Sequence, residues 1–349
     1  MTTQRILFVA FSGLLTLSAA LGADQAVPLA PYQPPVNLTS TLRLGGNRHM
    51  AKLAQAWADA YRGQHPEVSF EIALLGNGTA MPALYLGLAD VVFFGRDPIV
   101  TDRDGFAHVM KYDPLGLDVA TGSLATPGNS PALVLLVHRD NPLTHLTLTQ
   151  VDAIFSSQRR RSATEAIRTW GQLGLTGEWA NQPIHLYGDD TQSMTGLFFQ
   201  RVALGDSRRM NWEHYTEFQD IRKPDGSVVE AAQQSAAAIA TDRWGLAISN
   251  LHYQTPALKA LALSKSDGTA PVEASAETLV SRAYPLARPI LAFVNQAPGR
   301  PLDPKVQDFL LFLLGPAGQR IVAEQGDYLP LSTEAAKAQR TQLKSPLTP

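Results

Sequence analysis

The sequence predicts an α/β protein in which strands alternate with helices, and three observations predict it. Short apolar runs rich in branched and aromatic residues alternate with longer stretches of helical spacing, the signature of β–turn–α units and a parallel sheet. A turn containing Gly, Asn or Thr recurs between a strand and the helix after it. The chain is 349 residues long, 45% hydrophobic and 17% charged, an ordinary globular composition with enough material for two domains.

At the N-terminus, Arg5 precedes an apolar run from Ile6 to Ala20 and a small-residue stretch, Ala20-Leu21-Gly22-Ala23. This predicts a secretory signal peptide over residues 1–23, cleaved after Gly22 or Ala23, since the run is short of the roughly 20 apolar residues of a spanning helix. Residues 24–40 contain PLAPYQPP and read as an extended, Pro-rich lead-in. From Thr41 the alternation begins. TLRLGG is a strand. MAKLAQAWADAYRGQHP follows as a helix with Met50, Leu53, Ala54, Trp57, Ala60 and Tyr61 on one face and Pro66 at its stop. VSFEIALLG is a strand, GNGTAMPALYLGLAD a turn and helix, VVFFG a strand. PALVLLVH is a buried strand, and LTLTQVDAIFS a helix entered through Thr147 or Thr149. IHLYG is a strand, DDTQSMTGLFFQRVAL a turn and helix, VVEAAQQSAAAIATD a helix and WGLAISNL a strand. In YPLARPILAFVN two prolines suit an edge or a crossing segment. LDPKVQDFLLFLLGPAGQRIVAEQG is a helix pair broken at Gly315-Pro316, YLPLS ends the fold, and residues 333–349 read as a loose tail.

Several chemistries are excluded. The chain has no cysteine, so disulfides, thiol catalysis, iron–sulfur clusters, Cys-ligated zinc and a lipidated N-terminal cysteine are out. A formal charge of −2 gives no excess for nucleic acid or an anionic membrane, and Arg159-Arg160-Arg161 reads as a solvated run. HExxH, G-x-S-x-G, GxxxxGK[ST] and GxGxxG are all missing, and the eight histidines show no metal-ligand spacing. The five tryptophans read as core or loop anchors. Four strand-to-helix turns remain: Gly45 to His49, Gly76 to Thr79, Gly95 to Asp97, and Asp190 to Gly196. Each leaves backbone N–H groups free at a turn or helix start, which binds anions without a lysine. Taken singly, each is an ordinary turn; converging on one cleft at the carboxyl ends of strands, they would make an oxyanion site.

These segments resemble the substrate-binding proteins of phosphate ABC transporters, within the type II periplasmic-binding superfamily. LRLGGNRHMAKLAQAWADAYRGQHPEVSF, LLGNGTAMPALYLGLADVVFFGRDP, ALVLLVHRDNPLTHLTLTQVDAIFS, YPLARPILAFVN and GQRIVAEQGDYLPLS carry the resemblance, in order, from about Leu42 to Ser332. It implies two α/β lobes, each a mostly parallel sheet flanked by helices, joined by two hinge crossings near Ser130–His138 and Tyr284–Ala292. Lobe I is expected over 41–134 and 288–332, lobe II over 135–287. The implied function is capture of phosphate or a related oxyanion in the interlobe cleft and delivery to an inner-membrane permease. The implied protein is a periplasmic monomer, neither an enzyme nor a cofactor carrier. Residue by residue, the resemblance places Gly46, Asn47 and Arg48 in the first ligand turn, and Asn77, Gly78 and Thr79 in the second. It places Arg96 and Asp97 in the third, and Ser193, Met194 and Thr195 in the fourth. His49 and the adjacent pair Asp189 and Asp190 are candidate modulators, and a histidine there implies pH dependence near 6.5.

The fourth turn departs from the family pattern. Asp189 stands where the family has an arginine, and Met194 where it has a glycine. A carboxylate thus replaces a bidentate guanidinium. Three outcomes are compatible with this. Arg48 or Arg96 supplies the positive charge from the other lobe. Asp189 turns away and caps the helix. Or the same fold serves as a sensor or envelope protein for another ligand, one that is cationic, zwitterionic or metal-borne. A metal-dependent phosphoester hydrolase using the acidic pair is the remote alternative; neither a nucleophile nor a metal shell is visible for it.

Overall fold

The computed structural model describes residues 29–32 and 40–344. The expected signal peptide lies outside the described residues, as does most of the lead-in. The chain opens with β1 (Ser40–Gly46), α1 (Ala51–Arg62), β2 (Val68–Ala73), α2 (Asn77–Tyr85), β3 (Val91–Phe94), α3 (Val100–Met110) and β4 (Leu115–Thr121). It continues through β5 (Val134–His138), β6 (His145–Thr147), α4 (Leu148–Phe155), β7 (His185–Asp189), α5 (Met194–Ala203) and β8 (Tyr215–Phe218). The short strands β9 (Ile221–Arg222) and β10 (Val228–Val229) precede α6 (Ala231–Thr241), β11 (Gly245–Ser249), β12 (Leu258–Ala260), β13 (Ala262–Ser264) and α7 (Ala276–Val280). β14 (Pro289–Val294), α8 (Pro304–Leu313), α9 (Pro316–Gln325) and α10 (Thr333–Lys344) complete it.

Two five-stranded sheets organise these elements, in the orders β2-β1-β3-β14-β4 and β12-β5-β11-β7-β8. In the first sheet β1 pairs in parallel with β2 and β3, while β14 runs antiparallel to both β3 and β4. In the second, β7 is parallel to β8 and β11, while β5 runs antiparallel to β11 and β12. Each sheet therefore has four strands in one direction and one reversed. The reversed strand is in each case the first one laid down after the chain crosses from the other sheet. The two crossings run side by side: the Leu133 amide donates to Leu286 O at 3.3 Å, the Gly122 amide to Arg288 O at 2.7 Å, and the Tyr284 hydroxyl to Leu133 O at 2.9 Å. β14 is interior, so of the two settings considered for its prolines the edge is excluded. Pro289 opens the strand and Pro285 precedes it, which keeps both out of the ladder interior.

Separate cores sit behind the two sheets. The first is built on Trp57, Tyr61, Phe93, Phe309 and Phe312, the second on Leu135, Phe155, Trp170, Phe199 and Tyr284, all essentially inaccessible to solvent. Trp57 donates its indole N–H to Gly318 O at 3.0 Å, satisfying the polar end of a fully buried ring. Trp212, expected as an anchor, is 55% exposed. Tyr32, from the lead-in, donates to Asp308, which also accepts from Tyr61 at 2.6 Å. α3 and β4 are elements that the sequence pattern did not single out. α3 buries only Phe106 and has almost no apolar stripe to read.

The expectation of a loose tail is overturned. Residues 333–344 form α10, which lies on β4: the Asp118 amide donates to Gln339 Oε1 at 3.0 Å, Gln342 Nε2 donates to Gly116 O at 3.2 Å, and Ala336 and Leu343 are buried. Polar composition hid a helix with a narrow apolar stripe. Replacing Leu343 by alanine is accordingly expected to destabilise the protein by about 2 kcal/mol, the lower end for a buried leucine because a terminal helix can settle. Equilibrium denaturation in urea measures it. A change under about 0.5 kcal/mol, the scale of a surface substitution, means that the helix is undocked in solution.

Candidate functional site

Between the two sheets lies a cavity of about 280 Å3. Its lobe I wall is made by turns at the carboxyl ends of strands. β1 ends at Gly46, where a side chain would meet the Phe93 carbonyl oxygen at 2.1 Å and the backbone has φ of +117°; only glycine fits there. The chain then turns into Asn47, which is 5% exposed and whose side-chain oxygen accepts from the His49 amide at 3.0 Å. That bond leaves the Asn47 amide group facing the cavity. Gly95 makes room for it: a Cβ at 95 would sit 2.1 Å from Asn47 Nδ2 and 2.8 Å from Ser130 Oγ. Asn77 opens α2 and accepts from the Gly95 amide at 3.4 Å. Ser130 adopts the left-handed conformation (φ 52°) and donates its hydroxyl to Gly95 O. A non-glycine residue there costs on the order of 1–3 kcal/mol and persists only where its surroundings hold it.

The lobe II wall carries the start of α5. Ser193 caps it, accepting from the Gly196 amide at 3.0 Å. Met194 and Thr195 form its first turn at the cavity, where amide N–H groups have no partner within the helix. Asp189, at the end of β7, also lines the cavity; it is 8% exposed and its Oδ2 has no hydrogen-bond partner. Asp220, Glu230 and Asn250 complete this wall. Burial pushes the Asp189 carboxyl up to about 7, with Asp220, Glu230 and Asp190 adding to the rise and Arg288 opposing it. Burial also raises the Glu230 carboxyl.

Arg288 enters from the second crossing, just ahead of β14. It is 7% exposed, lines the cavity, and among the described residues makes no salt bridge or side-chain hydrogen bond; its Nε is buried without a partner there. Its guanidinium carbon lies 5.3 Å from the Phe198 ring centroid. Burial lowers its pKa, and Asp97 and Asp189 oppose that. A guanidinium keeps its charge through any such shift. An unpaired charge in a protein interior is costly, so a counter-anion in the cavity is strongly favoured.

Of the residues singled out in the sequence, the structure gathers Asn47, Asn77, Arg96, Met194 and Thr195 around the cavity, together with His49 and Asp189. It does not bring the others to its lining. Gly46 shapes the turn behind Asn47. Arg48 is exposed. Gly78 faces an adjoining groove with Met81 and Tyr85, and Thr79 donates back to Gly76 O at 2.9 Å. Asp97 pairs with Arg201 of α5, across the cleft. Ser193 and Asp190 are spent on local capping, Asp190 Oδ1 accepting from the Gln192 amide at 2.8 Å. Asp189 thus does not cap the helix; Ser193 does. Arg96 lines the cavity, but Asp102 holds it at 2.5 Å. The expected pH dependence of His49 near 6.5 is corrected: partial burial, against Gly128, and the Arg48 charge lower its pKa. Sequence reasoning missed Ser130, Arg288, Asp220, Glu230 and Asn250. Arg288 had a readable signal, a lone arginine inside the otherwise apolar run YPLARPILAFV. Among the described residues no three His, Asp or Glu side chains stand in metal-ligating arrangement.

This architecture has relatives. A family model described as a PBP superfamily domain matches residues 33–317. The phosphate-binding protein PstS of Pseudomonas aeruginosa is 34% identical over 334 residues, which cover 95% of this chain and 94% of that protein. Among solved structures, PstS from Borrelia burgdorferi aligns with a TM-score of 0.56 at 17% identity, covering 84% of this chain and 99% of that one. An ABC-type phosphate transport receptor from Vibrio cholerae aligns with a TM-score of 0.50 at 18% identity, covering 82% and 99%. These two likenesses bear on the fold, whereas the family rests on the domain match and the identity to the Pseudomonas protein. The chain belongs to the PBP superfamily, in the family of the phosphate-binding proteins PstS.

Proposed function

We propose that this protein is a solute receptor, not an enzyme, that captures phosphate or a related tetrahedral oxyanion between its lobes and delivers it to an ABC permease. One observation carries the reading: the Arg288 guanidinium is buried, unpaired and exposed only to the cavity. Around it stand the donors such an anion needs, the Asn47 and Asn77 amides and the first turns of α2 and α5. The donors come from both sheets and the arginine from the strand that joins them. Binding therefore favours the closed arrangement of lobe I (41–134 and 288–332) on lobe II (135–287). Secretion through a signal peptide over residues 1–23 places the receptor in the periplasm. Among the described residues no helix is long and apolar enough to cross a membrane.

In this site Arg288 takes the position of principal cation that neither Arg48 nor Arg96 fills. Asp189 acts as a proton gauge. Below about pH 7 its carboxyl is neutral and offers an O–H donor; above, it is an anion facing an anion. A second reading rests on the same carboxylate: with Asp189 and Met194 in the fourth turn, the fold serves a sensor or envelope protein for another solute. The two readings part on the titration of phosphate itself.

Two outcomes follow. Arg288→Met is expected to weaken phosphate binding by about 10- to 100-fold, the value of a charge-assisted hydrogen bond. The ligand-free protein should melt no lower than wild type, since an uncompensated buried charge is removed. Titration calorimetry and thermal melts read these separately, and unchanged affinity would place the anion elsewhere. For pH, the ratio of wild-type to Asp189→Asn dissociation constants cancels the ligand's own titration. With a pKa of about 7 it is expected to rise about tenfold between pH 6 and pH 8 as Asp189 ionises. A flat ratio removes Asp189 from contact with the anion.

A further inference from the structure

The cavity carries more negative charge than a bare oxyanion explains. Asp189, Asp220 and Glu230 line its lobe II wall. Against them stand two arginines, and Arg96 is already matched by Asp102. The lining thus holds one uncommitted cation and three carboxylates. Asp189 is more than nine-tenths buried and its Oδ2 has no partner, so it is a group built to meet something in the cavity. The other two carboxylates are near enough to raise its pKa, which puts all three in one electrostatic neighbourhood. Asp220 Oδ1 accepts one backbone bond, from the Ala231 amide at 2.9 Å, and otherwise remains open. The volume also exceeds one ion: at roughly 30 Å3 per water molecule, a cavity of about 280 Å3 has room for an anion with a short extension. The anion-favouring groups, Arg288 with Asn47 and Asn77, and the cation-favouring groups, Asp189 with Asp220 and Glu230, thus line a single cavity.

Resting on the oxyanion reading above, we infer that the preferred ligand of this cavity is a zwitterion, a phosphate or phosphonate group joined through a short aliphatic link to a primary ammonium. The phosphoryl oxygens take Arg288 and the amide donors. The ammonium takes the orphan oxygen of Asp189, while Asp220 and Glu230, on the same wall, add attraction through their charge without converging on one point. Such a ligand adds a positive charge where the wall is negative, so both halves of the lining are neutralised at once.

The test is calorimetric titration of the secreted protein, freed of carried-over ligand, at pH 7.5. The titrants are inorganic phosphate, 2-aminoethylphosphonate, phosphoethanolamine and propylphosphonate, the last matching the second in size without the ammonium. The expected result is that 2-aminoethylphosphonate binds about tenfold or more tightly than propylphosphonate. Glu230→Gln should shrink that ratio toward one, with the far-ultraviolet spectrum unchanged. Tighter binding of phosphoethanolamine than of the phosphonate supports the inference and assigns the ester as the source of the anion. If phosphate binds and the ammonium gives no advantage, the zwitterion is overturned while the oxyanion reading stands. If none of the four binds, both fall. If the two zwitterions bind and phosphate does not, the inference holds and inorganic phosphate is not the cargo.

Discussion

An arginine held inside the protein without a counter-charge is the constraint around which the rest of the structure is arranged. The Arg288 guanidinium is removed from water, packs near the face of Phe198 and has no carboxylate in pairing distance among the described residues. Its position matters as much as its charge. It lies on the crossing between the sheets, its carbonyl accepting from Gly122 beside the other crossing. In the site proposed above, an anion seated on it would touch the hinge and both lobes together. Asp97 and Arg201 already join the rims of the lobes, so the cleft is closed over this charge at its edge as well.

The electrostatics of the cavity divide along the sheet boundary. Lobe I offers neutral amides and a helix start, with its own arginine, Arg96, tied to Asp102. Lobe II offers a helix start and three carboxylates. Neutral donors stabilise an anion without long-range charge and so distinguish ligands by shape and hydrogen-bond geometry. Carboxylates distinguish them by charge. On the resemblance, Asp189 stands in the fourth turn where the family has a positive group. In the site proposed above the cation is instead Arg288, ahead of β14, and the negative wall finds its partner in the ligand or in a proton.

The same residues explain why glycine appears where it does. Gly46 and Gly95 leave no space for a side chain: the first lies against the Phe93 carbonyl and the second against Asn47 and Ser130. They let the donor turns of β1 and β3 press against each other at the cavity floor. Ser130, strained in the left-handed region, is part of the same packing. A site built this way is preorganised, because its donors are fixed by backbone geometry.

Much of this was legible in the sequence for plain physical reasons. Period-2 and period-3.6 patterns located β1, α1, β2, β3, β5 and β11, since burial of one face leaves a local trace. A capping residue marked the start of α4, read as Thr147 or Thr149 and found to be Thr147. α3 and α10 were illegible as elements because their buried faces are too narrow to impose a period, and they owe their order to the elements they pack on, α2 for α3 and β4 for α10. In the site, the local turns at Asn47, Asn77 and Met194 were visible as turns. Whether their donors would reach the ligand or be spent on caps was not, as Thr79, Ser193 and Asp190 show. What the sequence by itself determined was the order of strands and helices, the exclusion of thiol chemistry and the presence of four anion-friendly turns, all properties of neighbours along the chain. Only the tertiary structure decided that Arg288, 99 residues beyond Asp189, shares its cavity, and that Asp97 pairs across the cleft instead of facing the ligand. Long-range charge pairing depends on which distant segments the two reversed strands bring together, and no local pattern encodes that distance.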